Sequence, residues 1–232
     1  MLLAQVVETS RRIAETARRL EKVELLAALL KQLHGEEVGA VVAFLCGYTS
    51  QGRIGVGYAA LRDSASPSAE MAVLEIRDVD RAFASLAVVR GRGSEGQRRD
   101  LLRGLLARAT APEQGFLTRL LFGEIRQGAL EGVMVEALAR ASGAGAEDVR
   151  RAVMMAGDIA RVASALLESG PAGLAQYDIQ LFRPVQPMLA STAEAVGDAV
   201  VPGAPCRWSG SSTAPASRCT ATTTWCGSTP AT

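Results

Sequence analysis

Along most of this chain the apolar residues return every three or four positions, the period of a helix with one buried face. Leu3, Val6, Val7, Ile13, Ala17 and Leu20 form such a stripe and predict a first helix over 2–20. Leu25, Leu26, Leu29, Leu30 and Leu33 predict a second over 22–33, which Gly35 ends. Glu36 and Glu37, acids suited to the positive end of a helix, open a third with Val38, Val41, Val42 and Leu45 inward. Met71–Ile76 and Val79–Val89 read as two short helices, and Leu101–Arg108 as another. Phe116, Leu117, Leu120 and Leu121 share the face of a helix whose start is written locally. Thr110 and Glu113 have the spacing of a capping box, and Pro112 falls in the first turn, where a missing N–H costs nothing. After a break the pattern resumes near Leu130 with Val133, Met134, Ala137 and Leu138 inward. A helix over 147–156 follows, then one capped by Asp158 and stopped by Gly170 and Pro171.

Composition agrees with this pattern. Aromatic residues are only 4% and β-branched runs are scarce, so an all-α fold is expected over residues 1–170. The 232 residues suffice for one or two domains with a real core. A net charge of +1 excludes a uniformly basic nucleic-acid glove, so any anion-binding surface depends on local placement of arginine. No stretch is long and apolar enough to span a bilayer, and the amphipathic start is unlike a secretion signal. These features predict a cytoplasmic monomer without a membrane partner. Cys46 stands alone among the helices, with Cys206, Cys219 and Cys226 near the end, and no functional disulfide is expected. His34, the sole histidine, sits at a helix end as a surface residue.

Candidate chemistry lies in the breaks. Arg126 and Gly128 precede the helix that contains Gly132. Free amides at a helix start, glycines that admit a phosphate and a guanidinium together suit anion binding. The alternative is an αα-hairpin whose glycines only permit tight turning. GYTSQGRIGVGYAAL, Gly47–Leu61, holds Gly55 and Gly57, yet no strand precedes it as a dinucleotide loop requires, and no P-loop occurs. A connection between helices is the default reading there. The densest positive run is a basic, glycine-rich loop, Arg90 to Arg99, with Arg92 and Arg98 inside it; Arg103 follows in the next helix. It is either a solvated face or a phosphate contact.

Three strings in order, RIGVGYAAL at Arg53–Leu61, LLFGEIRQGALEGVMVEALA at Leu120–Ala139 and RPVQPMLAS at Arg183–Ser191, resemble the N-terminal DNA-binding domain of actinobacterial-type ATP-dependent DNA ligases. The resemblance covers Met1 to about Asp198. It implies a multi-helix DNA-binding domain over 1–170 and a linker over 171–198 toward an adenylation domain. The implied partner is nicked double-stranded DNA, held through phosphates across the minor groove during strand joining in replication, repair and recombination. The implied contacts are Arg53, Gly55, Gly57, Arg92, Arg98, Arg126, Gly128 and Gly132. ATP and magnesium serve the intact family; in this chain no cofactor, metal ligand or catalytic residue is expected.

The reason is the tail. From Val200 onward there is no leucine, isoleucine, glutamate, aspartate or lysine, a composition expected to be disordered over 199–232. Its cysteines lack a histidine or a C-x-x-C pair, so zinc is not expected. Regrouping plausible codons for Cys206–Arg218 by one base yields Glu-Trp-Lys-Leu-Asp-Gly-Ala-Arg-Ile, which resembles the ligase adenylation motif. A one-base shift near 199–202 then puts the catalytic domain out of frame. No lysine follows Lys31, so the nucleophile that takes the adenylate is missing. Two alternatives stand beside this reading: an active ligase, if the shift is a sequencing error, and a helical protein-interaction module without a DNA role.

Overall fold

The computed structural model describes residues 1–52, 54–91, 93–125, 130–178, 207–209 and 218–220. The chain divides into two units, Met1–Gln186 and Pro187–Thr232. The first is all-α, as the periodicity predicts. Its elements are α1 (Leu3–Glu15), α2 (Arg19–Leu30), α3 (Glu37–Leu45), α4 (Tyr58–Asp63), α5 (Ile76–Val88), α6 (Ser94–Ala107), α7 (Ala111–Leu121), α8 (Leu130–Ser142), α9 (Ala146–Ala156) and α10 (Ile159–Ser169). A 3-10 turn, Gly170–Gln176, packs back on α10.

Helix α3 lies at the centre because it is apolar on every side, and every residue but Gly39 is buried. Helices α1, α5 and α10 surround it. Phe44 meets Phe83 of α5 edge to face at 5.7 Å, and a Cβ on Gly39 would stand 3.2 Å from Ser164 Oγ of α10. Glycine there lets the two helices approach closely. At the start of α3 the buried Glu37 carboxylate accepts from the Met1 ammonium at 2.7 Å and from Arg77 Nε at 3.1 Å. Burial raises its pKa, but the two cations outweigh that and hold it below the ordinary carboxylate value.

Three expectations are corrected. The first helix ends at Glu15, because Thr16 turns extended and its hydroxyl takes up the Arg18 amide at 3.2 Å. Ala17 is therefore exposed and Leu20, placed in the apolar stripe, is 71% exposed. Met71–Ile76 is not a helix: Leu3 N donates to Leu74 O at 2.8 Å and Ile76 N to Met1 O at 3.0 Å. That bridge between Leu2 and Glu75 overrides local propensity. Helix α6 starts at Ser94, so Arg98 and Arg99 are helical and not in a loop. Gly93, at φ +82°, supplies the left-handed residue from which it starts.

In the second unit Arg207–Ser209 pairs antiparallel with Arg218–Thr220, Trp208 opposite Cys219. The remainder of the predicted disordered tail, and RPVQPMLAS, lie outside the described residues.

Candidate functional site

Two helix ends define the site. Helix α3 closes with Gly47 at φ +85°, its amide donating to Phe44 O at 3.1 Å and that of Tyr48 to Ala43 O at 3.0 Å. Helix α7 closes alike: Gly123 at φ +66° donates to Leu120 O at 3.1 Å, and Glu124 to Arg119 O at 2.8 Å. Both are Schellman caps, in which a left-handed glycine lets the chain fold back on the last free carbonyls. The two caps meet, since a Cβ on Gly47 would lie 2.6 Å from Ile125 O. Between them opens a cleft of about 600 Å³ lined by Tyr48, Ile54, Val56, Leu121 and Phe122 among others. The glycine-rich stretch after α3 and the break after α7, distant in sequence, therefore share one surface.

The loop 47–57 is tied down on its inner side. Thr49, buried, donates its hydroxyl to Gly52 O at 2.8 Å, and Gln51 Nε2 donates to Asp80 Oδ1 at 2.9 Å. Ile54 is buried, while Gly55, at φ +70°, and Gly57, the N-cap of α4, are exposed. Tyr58, 72% exposed, stacks at a tilt on Phe122, ring centroids 5.9 Å apart. Beside the loop, α6 packs on α4: buried Ser64 donates to Ala60 O at 2.6 Å and Arg99 O at 3.3 Å, and Arg103 donates to Asp63 O at 3.2 Å. Arg98, half-buried, donates from Nη2 to Ile54 O, while Arg99 is exposed.

Of the predicted contacts, the structure brings Gly55 and Arg98 together, and Gly57 follows two residues on as the N-cap of α4. Gly132 is exposed in the first turn of α8, with the Arg19 guanidinium 3.9 Å from where its Cβ would be. Arg19 is itself paired with Glu136 at 2.7 Å. Arg53, Arg92, Arg126 and Gly128 lie outside the described residues. The ring pair Tyr58–Phe122 and the opposed caps escaped the sequence reading. Each joins residues more than sixty positions apart, and only Gly47 and Gly123 after apolar helices hinted at them.

The electrostatics constrain what can bind. The cleft faces two helix C-termini, whose partial charge is negative, so anions must be met by the arginines around it. Cys46, at the end of α3, is no nucleophile: burial, helped by the nearby Glu131 carboxylate, pushes its thiol up to about 12. Burial, with the charges of Cys46 and Asp158 adding to it, raises the Tyr48 phenol as well, which stays neutral. Among the described residues no group of histidine, cysteine or acid could hold a metal, and no helix is long and apolar enough to cross a membrane.

The family described as DNA ligase N terminus matches residues 55–139, from the exposed glycines through most of α8. The chain carries a DNA ligase N-terminal domain. A probable DNA ligase of an Anaeromyxobacter species is 50% identical over 202 residues, covering 86% of this chain and 39% of that protein. One from Streptomyces griseus is 46% identical over 206 residues, 89% of this chain and 40% of its own length. One from Rhodococcus opacus is 44% identical over 199 residues, with 86% and 40% covered. The chain thus spans about two fifths of the relatives' length.

Proposed function

We propose that this ligase N-terminal domain grips nicked duplex DNA through its sugar–phosphate backbone, holding the ends for strand joining in replication, repair and recombination. The observation that supports the reading is the surface where the two glycine-closed helix ends meet, on which Gly55 and Gly57 are exposed at the start of α4, next to α6. Glycine amides accept close approach of phosphate oxygens, and arginine neutralises them. Arg53, Arg92 and Arg126 act as the neutralising cations, with Gly55, Gly57, Gly128 and Gly132 bringing backbone amides near. Such contact positions the protein without reading base sequence. The domain works as a monomer in the cytoplasm.

ATP and magnesium serve the catalytic step of the family, and the residues here do not fit them. The only lysines, Lys22 and Lys31, lie on α2 and at its C-terminal cap, and no Lys-x-Asp-Gly sequence occurs. These 232 residues are expected to stay unlabelled when incubated with labelled ATP, since they hold no Lys-x-Asp-Gly sequence to take the adenylate.

Fluorescence anisotropy with nicked duplex tests the DNA reading. With three arginines neutralising phosphates, affinity is expected to fall roughly fortyfold between about 50 and 200 mM salt. Arg126→Ala is expected to lower the salt slope by about one. Gly128→Asp, which sets a carboxylate against phosphate, is expected to abolish binding. An affinity indifferent to salt, or to both substitutions, would leave the central motif as scaffold only.

A further inference from the structure

We infer that Arg98 is a positioning residue for the DNA-facing loop and not one of its phosphate contacts, an inference that rests on the DNA-binding function just proposed. Arg98 lies in the second turn of α6, forty-four residues from the loop it touches, and its Nη2 donates to the Ile54 carbonyl. The side chain of Ile54 is buried, so this residue is fixed from within by its own packing and from outside by the guanidinium. Gly55 follows at φ +70°, and a Cβ there would stand 3.6 Å from the same Nη2. The guanidinium therefore lies along the backbone where the loop turns left-handed.

Among the described residues, the remaining side-chain hydrogen bonds of this loop act before position 53: Thr49 on Gly52 and Gln51 on Asp80. Among the described residues, Arg98 is the tie from another helix that reaches the part carrying Gly55 and Gly57. A charged donor on a carbonyl is stronger than a neutral one, which suits a single contact that must hold a turn. Arg99, the next residue, is exposed, and its backbone oxygen accepts from Ser64 at the end of α4. Two adjacent arginines thus take different work, one bracing the loop and the other facing solvent.

The full chain tests this with Arg98→Met, which keeps the apolar stem and loses the donor, beside Arg99→Ala. Amide hydrogen exchange of the free protein is expected to speed up at 55–57 in Arg98→Met and stay unchanged in Arg99→Ala. On nicked duplex, Arg98→Met is expected to bind about tenfold more weakly with its salt slope unchanged. Arg98→Lys, which restores charge without the planar fork, is expected to recover little of that loss. Gly55→Ala approaches the same contact from the other side and covers the case of a poorly folded Arg98 variant. It is expected to reproduce both changes and to add nothing to Arg98→Met in the double variant.

A slope reduced by about one with normal exchange would make Arg98 a phosphate contact and overturn the inference. Full recovery by lysine would overturn it as well, as would faster exchange with unaltered affinity, since the brace would then serve something other than DNA. Failure of the wild-type chain to bind nicked duplex at any salt concentration sinks the DNA reading itself, and this role for Arg98 with it.

Discussion

The stretches 47–57 and 90–99 both mix glycine with arginine, yet they are built in opposite ways. The first stays a loop and is pinned: capped at Gly47, tied by Thr49 and Gln51, anchored by Ile54 and met by Arg98. The second is mostly absorbed into α6, and its glycines touch little, since a Cβ on Gly91 or Gly93 would meet nothing within 4 Å. Glycine is required at Gly47 by space as well as by dihedral angle, and at Gly91 and Gly93 by dihedral angle alone. Shared composition therefore hides a difference in construction, and a loop tied down at several points suits a backbone-to-phosphate contact.

Gly47→Ala should separate the two stretches most sharply. A left-handed alanine whose Cβ stands 2.6 Å from Ile125 O is expected to cost about 3 kcal/mol, read as a lowered urea midpoint. An unmoved midpoint would show that the segment after α7 yields freely and that the caps are not locked together.

Glu37→Gln asks whether the pinned loop depends on how the far end of α3 is anchored. Burial lifts the Glu37 pKa, but the Met1 ammonium and Arg77 together depress it below its ordinary value. The sign follows: the ion pair contributes stability above the ordinary carboxyl pKa and loses it as pH falls through the depressed one. At neutral pH the substitution is expected to cost about 2 kcal/mol. The gap between wild type and variant should close in acid, and a gap that persists there would assign the loss to packing. Gly93→Asn is the smallest of the three. Asparagine tolerates the left-handed region and nothing crowds the site, so about 0.5 kcal/mol or less is expected by thermal melting.

Much of the helical framework was legible because its signals are local. The Thr110–Glu113 capping box is present, Glu113 Oε2 accepting from the Thr110 amide at 2.8 Å. Asp158 caps α10 through the amide of Ala160 at 2.9 Å, and Gly170 ends it. Val133, Met134, Ala137 and Leu138 are all buried, as their spacing predicts. What the local pattern did not show was decided by partners far along the chain. Leu74 is extended because Leu3 offers it a hydrogen bond, and no propensity in 71–76 announces that. Arg98 read as one more cation in a basic run, since nothing near it in sequence reveals that a carbonyl forty-four residues earlier is its partner. The motifs at 53–61 and 120–139 were each visible, whereas their adjacency is a product of folding.

The close approach of α10 to α3 at Gly39 has a consequence for synthesis. The most apolar helix is made early, but the helix that covers its Gly39 flank is, among the described residues of its unit, the last α-helix to leave the ribosome. Until Ile159–Ser169 emerges, the nascent chain carries a greasy seam that neighbouring polypeptides can seize. Stop codons placed before and after α10 should therefore divide aggregating products from well-behaved ones.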